Sequence, residues 1–275
     1  VLLSVSVVLY RSDPAVLAET MRSLAAAWKK LREYRPEARL GVVLIDNGSS
    51  GEAAVAASDP STGGLQDDGS SLTVVGGHGN IGYGRGHNLA LPGADSTYHL
   101  ILNPDVRIEP QALVEALAFL DTHGDAALLA PYTSNALGTQ EFLCRRYPSI
   151  LDLALRGFAP AFMRGWFQGR LARYELRAET QSADVFWDPP LVSGCFMLFR
   201  TSVLKQLGGF DAAYFLYFED YDLSLRTAAV ARTVFVRNVR IAHFGGGAAK
   251  KGGLHRRLFL RSAFTFFNRH GWRWF

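Results

Sequence analysis

One stretch limits this chain more than any other: Leu100-Ile101-Leu102-Asn103-Pro104-Asp105-Val106. Its apolar run reads as a short buried strand that meets a proline. Proline lacks the amide hydrogen and fixes φ, so the strand is expected to stop there. Asp105 then stands on a sharp turn at a strand's carboxyl end, where open α/β sheets hold ligands. Asp is also common in ordinary turns, so this carboxylate carries meaning only if other segments converge on it.

Upstream, Val1 to Tyr10 is an apolar, β-branched run, the pattern of a strand buried on both faces. Ser12 or Asp13 can cap the helix that follows, with Pro14 at its first position. Val16, Leu17, Met21, Leu24 and Trp28 carry helical spacing towards Tyr34, and Leu40 to Ile45 is a second buried strand. It ends in the polar turn Asp46-Asn47-Gly48-Ser49-Ser50. Strand, helix and strand with short links predict a right-handed βαβ unit. Residues 52–71 read as a solvated loop and Leu72 to Val75 as a third strand. The glycine-dense run from Gly76 to Asn88 is expected to open a helix at about Leu89. Within it Gly77, Gly79 and Gly82 fit the dinucleotide fingerprint G-x-G-x-x-G. The match follows the third strand rather than the first, and the acid that should hold a ribose would be Asp105 in its proline turn. A nicotinamide dehydrogenase is therefore only an alternative.

Downstream, Glu109-Pro110 begins a helix carrying Leu113, Leu117 and Leu120, and Ala126 to Ala130 is a strand ended by Pro131. Between Gln140 and Thr180, Phe158, Phe162, Trp166, Phe167 and Tyr174 interleave with Arg156, Arg164, Arg170, Arg173 and Arg177. That pattern suits an amphipathic helical insert over the core, or a surface lying on anionic lipid. Leu191 to Arg200 reads as a strand interrupted at Gly194, where a bulge or ligand approach is common. Glu219 and Asp220 open a helix after an aromatic run. They are helix-end charges or, where water is restricted, a base. Asp222 and Arg226 are spaced for a helical ion pair. Val234 to Ile241 leads as a strand into His243-Phe244-Gly245-Gly246-Gly247. A lone histidine is usually structural, but glycines permit close backbone approach, and His243 can complete a metal site with Asp105.

The length of 275 residues and 48% hydrophobic content suit one α/β domain with an appended piece. Cys144 and Cys195 lack metal-ligand spacing and are expected to be buried free thiols in a reducing compartment. There is no apolar run of about 18 residues, hence no spanning helix. The chain enters a strand at once, shows no targeting peptide, and stops at Trp274-Phe275; it is expected to be trimmed or part of a longer protein. Beyond Gly247 come Lys250, Lys251, Arg256, Arg257, Arg261, Arg269 and Arg273 with no acid, which suggests phosphates or a membrane surface as partner.

Together these segments resemble the inverting glycosyltransferases of family 2, with the GT-A fold, and most of all their rhamnosyltransferase-like members. The resemblance runs from Val5 to about His243. It rests on the strand ending at Tyr10, Asp46-Asn47-Gly48-Ser49, the Asn80-x-Gly-Tyr-Gly-x-Gly-x-Asn88 run, Asn103-Pro104-Asp105, and Phe218-Glu219-Asp220 followed by His243-x-Gly-Gly. It implies an α/β fold of a Rossmann-like mixed, mostly parallel sheet flanked by helices, with a basic, aromatic helical carboxyl-terminal part. The implied division is a glycosyltransferase domain over 1–247 and a helical segment over 248–275. Within the domain, a nucleotide-sugar half (1–131) precedes an acceptor half (132–247) with an insert at about 148–180.

The resemblance also implies roles. Tyr10, Asp46 and Asn47 would hold the base and ribose of a nucleoside diphosphate sugar, and Asn80, Gly82, Arg85 and Asn88 would line the nucleotide and diphosphate. Asp105 stands at the last position of the family's DXD motif and, with His243, would bind Mg²⁺ or Mn²⁺. Asn103 replaces the motif's first acid, as is common in the rhamnosyltransferase-like branch, and its lost charge lowers the expected grip on metal. Asp220 would be the catalytic base, with Glu219 positioning acceptor or sugar. The implied activity is transfer of a sugar, L-rhamnose from dTDP-rhamnose, to a glycan or polyprenyl-diphosphate-linked acceptor in bacterial cell-surface polysaccharide synthesis. The site is expected to be cytoplasmic, at the inner membrane face if the basic segments bind lipid. Alternatives are a UDP-sugar (galactofuranose or N-acetylhexosamine) transferase of the same fold and a non-catalytic nucleotide-sugar-binding domain.

Overall fold

The computed structural model describes residues 2–48, 51, 65, 70–157, 159–245 and 252–275. Ser49, Ser50, Phe158, Gly246, Gly247, Lys250, Lys251 and residues 52–64 and 66–69, which include most of the expected solvated loop, lie outside the described residues. The chain begins with β1 (Leu3–Leu9), α1 (Pro14–Tyr34), β2 (Leu40–Asp46) and β3 (Ser71–Val75). It continues with α2 (Tyr83–Asn88), β4 (Tyr98–Leu102), β5 (Val106–Ile108), α3 (Ala112–Thr122) and β6 (Ala126–Asn135). Next come the short strands β7 (Gln140–Glu141) and β8 (Cys144–Arg145), then α4 (Ile150–Gly157), α5 (Ala161–Trp166), α6 (Gln168–Tyr174) and α7 (Arg177–Ser182). The remainder is β9 (Val185–Trp187), β10 (Leu191–Val192), β11 (Phe196–Arg200), α8 (Thr201–Gln206), α9 (Glu219–Ala228), β12 (Arg232–His243) and α10 (Gly252–His270).

Every residue of β1 is buried, as its unbroken apolar run requires. Asp13 caps α1 by accepting from Ala15 N at 2.9 Å, and Pro14 occupies the first turn, where its missing amide hydrogen costs nothing. Leu17, Met21, Leu24, Trp28 and Leu31 form the face that α1 buries. The main sheet runs β3-β2-β1-β4-β11-β6-β12-β5. β3, β2, β1 and β4 are mutually parallel, β11 is antiparallel to β4 and β6, and β12 runs parallel to β6. That order brings the carboxyl ends of β2, β4 and β12 and the start of β11 to one sheet edge. Free, buried Cys144 and Cys195 match expectation.

Two expectations need correction. The helix placed at about Leu89 instead starts at Tyr83 and ends at Asn88, so it lies inside the glycine-dense run. Its glycines serve packing: a Cβ on Gly84 would sit 2.7 Å from Phe210 Cβ, and one on Gly86 would sit 2.8 Å from Val8 Cγ2. Pro131 does not end its strand, since β6 continues to Asn135. The β6–β12 register shifts between Val236 and Arg240, opposite Pro131 and Tyr132. A residue without an amide hydrogen is tolerated where the ladder is already interrupted. Among the described residues the expected helical insert consists of four short helices, α4 to α7. Helix α10 packs Phe266 and Phe267 into a small core with Leu153, Leu191, Tyr214, Phe218 and Tyr221. Among the described residues no helix is long and apolar enough to cross a membrane.

Candidate functional site

The common sheet edge brings Asp105, Asn103, Gly194, Glu219, Asp220 and His243 towards one another. After β4 the chain turns at Pro104, and Asn103 N donates to Cys195 O at 2.9 Å. β5 then pairs with β12 so that Val106 lies opposite His243, and Phe244 N donates to Asp105 O at 2.8 Å. This pairing places His243 Nε2 at 3.4 Å from Asp105 Oδ1. Asp105 Oδ1 is buried without a hydrogen-bond partner. A Cβ on Gly245 would overlap Asp105 Oδ2 and lie 2.8 Å from His243 Nε2, so glycine keeps that face open.

Glu141, which the sequence reading passed over, reaches His243 from the other side, with its Oε2 at 3.2 Å from Nδ1. A carboxylate only accepts, so Nδ1 carries a proton towards Glu141, and a cation bound at Nε2 would take the place of that nitrogen's proton. Burial works against protonation, yet the two carboxylates outweigh it and raise the His243 pKa to about 9. Among the described residues no group of three or more His, Cys, Asp or Glu side chains is arranged to hold a metal. Asp105 and His243 offer two donors: an oxygen and an imidazole nitrogen with an open face. That set fits a divalent cation completed by ligand oxygens.

The other end of the site is organised by the start of α9. Tyr217 and Phe218 both take left-handed backbone conformations, φ 72° and 66°, which cost side-chain-bearing residues roughly 1–3 kcal/mol each. Helix α10 holds the turn in place. Phe218 contacts the rings of Phe259 and Phe266 at 5.2 and 5.3 Å, and Ser262 Oγ donates to Leu216 O at 2.8 Å. The turn thereby delivers Glu219 and Asp220 to the site. Asp220 Oδ2 accepts from Gly194 N and Oδ1 from Tyr221 N, both at 2.9 Å. Burial pushes the Asp220 pKa up, against these amides and the positive charge of Arg145, which favour the ionised form. Glu219 is 4% exposed, and its Oε2 has no hydrogen-bond partner. Burial first, then the neighbouring Asp220 charge, raises its pKa well above the carboxylate range.

Tyr83 links the two ends. Its hydroxyl lies 2.6 Å from Gly194 O and 2.9 Å from Asn103 Oδ1. Burial, followed by the charges of Glu219, Asp220 and Asp105, pushes its pKa far up, so it stays a hydrogen-bond donor. It stood within the Asn80–Asn88 run without a role; a tyrosine among glycines in a helix that must bury its face was the available signal.

The other predicted residues divide by what their polar groups do. Asn47 Nδ2 donates to Gly82 O at 2.9 Å while its Oδ1 is buried and unpaired, and Asn80 Oδ1 accepts from Gly82 N at 3.0 Å. Asp46 Oδ1 accepts from Gly48 N, and Tyr10 is half exposed at the end of β1. Asn88 exchanges both its amide groups with the Phe210 backbone, and Arg85 donates to Ala212 O. Asn88 and Arg85 thus brace the 210–212 turn.

Residues 4–208 match the Glycosyl transferase family 2 description. Rhamnosyltransferase WbbL of Escherichia coli (strain K12) is 28% identical over 175 residues, 60% of this chain and 62% of that protein. The N-acetylglucosaminyl-diphospho-decaprenol L-rhamnosyltransferase of Mycobacterium tuberculosis is 27% identical over 179 residues, 60% of this chain and 56% of that protein. The matches thus span about three fifths of these relatives' length. The mannosyltransferase PcManGT from Pyrobaculum calidifontis, solved with GDP-Man and Mn²⁺, superposes with a TM-score of 0.60 at 18% identity, over 98% of this chain and 64% of that one. The sheet is thus that of a GT-A-type fold, and the chain belongs to glycosyl transferase family 2.

Proposed function

We propose that this glycosyltransferase moves L-rhamnose from dTDP-rhamnose to a sugar hydroxyl by single displacement with inversion. The observation that carries the reading is the arrangement along one sheet edge: an open Asp105–His243 pair at one end, a buried Glu219–Asp220 pair at the other, and Tyr83 spanning them. Asp105 and His243 would hold Mg²⁺ or Mn²⁺, with Glu141 fixing the histidine tautomer. A divalent cation bound there supplies charge neutralisation for the leaving diphosphate. Tyr10, Asp46 and Asn47 border the space for base and ribose, while Asn80, Gly82, Arg85, Asn88 and Asn103 shape the diphosphate side.

Asp220 takes the proton of the acceptor hydroxyl as that oxygen attacks the anomeric carbon from the face opposite the diphosphate. The Gly194 amide fixes the carboxylate, and Glu219 positions acceptor or sugar beside it. The rhamnosyltransferase relatives support the donor. The diphospho-decaprenol in one relative's name supports a polyprenyl-diphosphate-linked acceptor. A cytoplasmic site at the inner membrane face would suit that acceptor. Exposed Phe264, Trp272 and Trp274 run in ring contact from α10 to the carboxyl terminus, on a segment that also carries Arg261, Arg269 and Arg273, a composition suited to anionic lipid.

Calorimetric titration of dTDP, UDP, GDP and NAD, each with and without Mn²⁺, tests the reading. Tight dTDP binding strengthened by Mn²⁺ is expected. Preference for UDP would overturn the rhamnose donor and favour a UDP-sugar, and NAD binding alone would overturn the transfer mechanism.

A further inference from the structure

We propose that Arg145, Arg156 and Arg177 form a second diphosphate subsite, separate from the Asp105–His243 end, which holds the anionic link of the acceptor. The proposal rests on the acceptor reading above and adds the residues that recognise it.

Arg145 lies on β8, opposite Leu191 of β10, three residues before the Gly194 that anchors Asp220. Its side chain is 6% exposed, and its Nε and Nη1 have no hydrogen-bond partner. The nearest carboxylate oxygen, Glu175 Oε1, is 3.6 Å from Nη1. Glu175 is already engaged elsewhere: Arg156 Nε lies 3.4 Å from its Oε1, and Arg177 donates to its Oε2 at 2.6 and 2.9 Å. One carboxylate therefore faces three guanidinium groups. A buried guanidinium with unmade donors is costly to keep, and the fork of an arginine matches phosphate oxygens in pairs.

Exposure sets the direction of entry. Arg156 and Arg177 are nearly half exposed, whereas Arg145 lies beneath them. The Tyr174 ring centroid is 5.8 Å from the Arg145 guanidinium carbon, and the Tyr174 hydroxyl meets that of Tyr221 at 3.0 Å. Tyr221 adjoins Asp220 in sequence, and the Asp220 charge favours the ionised form of Arg145. The surplus of cations thus runs from the surface of the helical insert inward to the base. The donor's diphosphate is served at the Asp105–His243 end, which leaves these cations for an anion on the acceptor.

Two acceptors test this: a sugar on an alkyl diphosphate and the same sugar on a neutral alkyl glycoside. For Arg156→Ala/Arg177→Ala, and separately for Arg145→Met, KM for the diphosphate acceptor should rise about tenfold or more. In the double variant KM for the neutral acceptor and the Kd for dTDP should not move. Arg145→Met also withdraws a charge that favours ionised Asp220, so it should lower turnover with both acceptors but raise KM only for the diphosphate one, and Arg145→Lys should recover part of that KM. Equal changes in KM with both acceptors would overturn the subsite in favour of a structural role. A parallel titration uses inorganic pyrophosphate with the donor site saturated by dTDP and Mn²⁺. Binding to the parent that is lost in the double variant supports the subsite; no binding to the parent overturns it. Phosphatidylglycerol vesicles, bound by the parent and lost in the double variant while KM for the diphosphate acceptor stays unchanged, would assign the arginines to a lipid headgroup and overturn the acceptor assignment. Should neither acceptor be glycosylated, the transfer reading fails, and the pyrophosphate titration still decides the subsite.

Discussion

The two ends of the site carry acids under opposite conditions. At the Asp105 end the carboxylates of Asp105 and Glu141 flank a histidine, remain about one third exposed, and raise that histidine's pKa to about 9. At the Asp220 end two adjacent carboxyl groups are buried at a helix start, where backbone amides and the charge of Arg145 favour the ionised Asp220, yet the pKa values of both rise. The first arrangement stabilises negative charge that is already present and suits a cation with diphosphate. The second makes charge expensive, so a carboxylate there has reason to take a proton. The chemistry divides along that line, and each substitution below tests one side of it.

The largest effect belongs to the buried end. Asp220→Asn keeps the shape and the Gly194 amide contact but removes the proton acceptor. Turnover should fall by about 10²–10⁴-fold, the usual contribution of a positioned base, while dTDP binding with Mn²⁺ is retained. A variant that loses nucleotide binding in proportion to turnover would erase the distinction between the ends.

How far the sequence revealed each end follows from the kind of signal each residue leaves. Asp105, Asp220 and His243 were legible because each sits where a periodic pattern stops: a strand running into proline, a helix starting after aromatics, a strand running into glycines. The β1–α1–β2 unit was legible because burial on both strand faces and along one helix stripe writes unbroken and 3.6-residue patterns. Glu141 left no such mark. It lies on a two-residue strand that exists because Thr133 and Ser134 of the long β6 pair with it, and that length was hidden by reading Pro131 as an end. Tyr83 was hidden likewise, because glycine normally argues against a helix interior. Only the tertiary approach of Phe210 and Val8 explains why glycines occupy one here.

Glu141 gives the intermediate test. If it acts by orienting His243, Glu141→Gln should weaken Mn²⁺ affinity in the presence of dTDP by about 10–100-fold, the usual cost of losing such an outer partner. Binding of dTDP without metal should not change, and Glu141→Asp should recover part of the affinity. Calorimetry with and without Mn²⁺ separates these outcomes. Equal weakening in both titrations would make Glu141 a general support of the fold and weaken the contrast between the ends.

The smallest effect concerns stability and comes from Glu219. Burial raises its pKa well above that of an unfolded carboxyl, about 4.3. A group with a raised folded pKa contributes stability that is fully present below the unfolded pKa and is lost as pH rises through the folded one. Near neutral pH the fold therefore carries a cost at Glu219. Glu219→Gln places a neutral group of the same size there and should stabilise the protein by about 1 kcal/mol at pH 8, a rise of a few degrees in Tm. At pH 5 the advantage should shrink, because the carboxyl of the parent is then protonated in the fold and loses little. Thermal unfolding at the two pH values measures the difference directly. An advantage that is absent, or equal at both pH values, would mean that the ionised carboxylate is tolerated at this end after all. Expensive charge would then no longer explain why the base stands there.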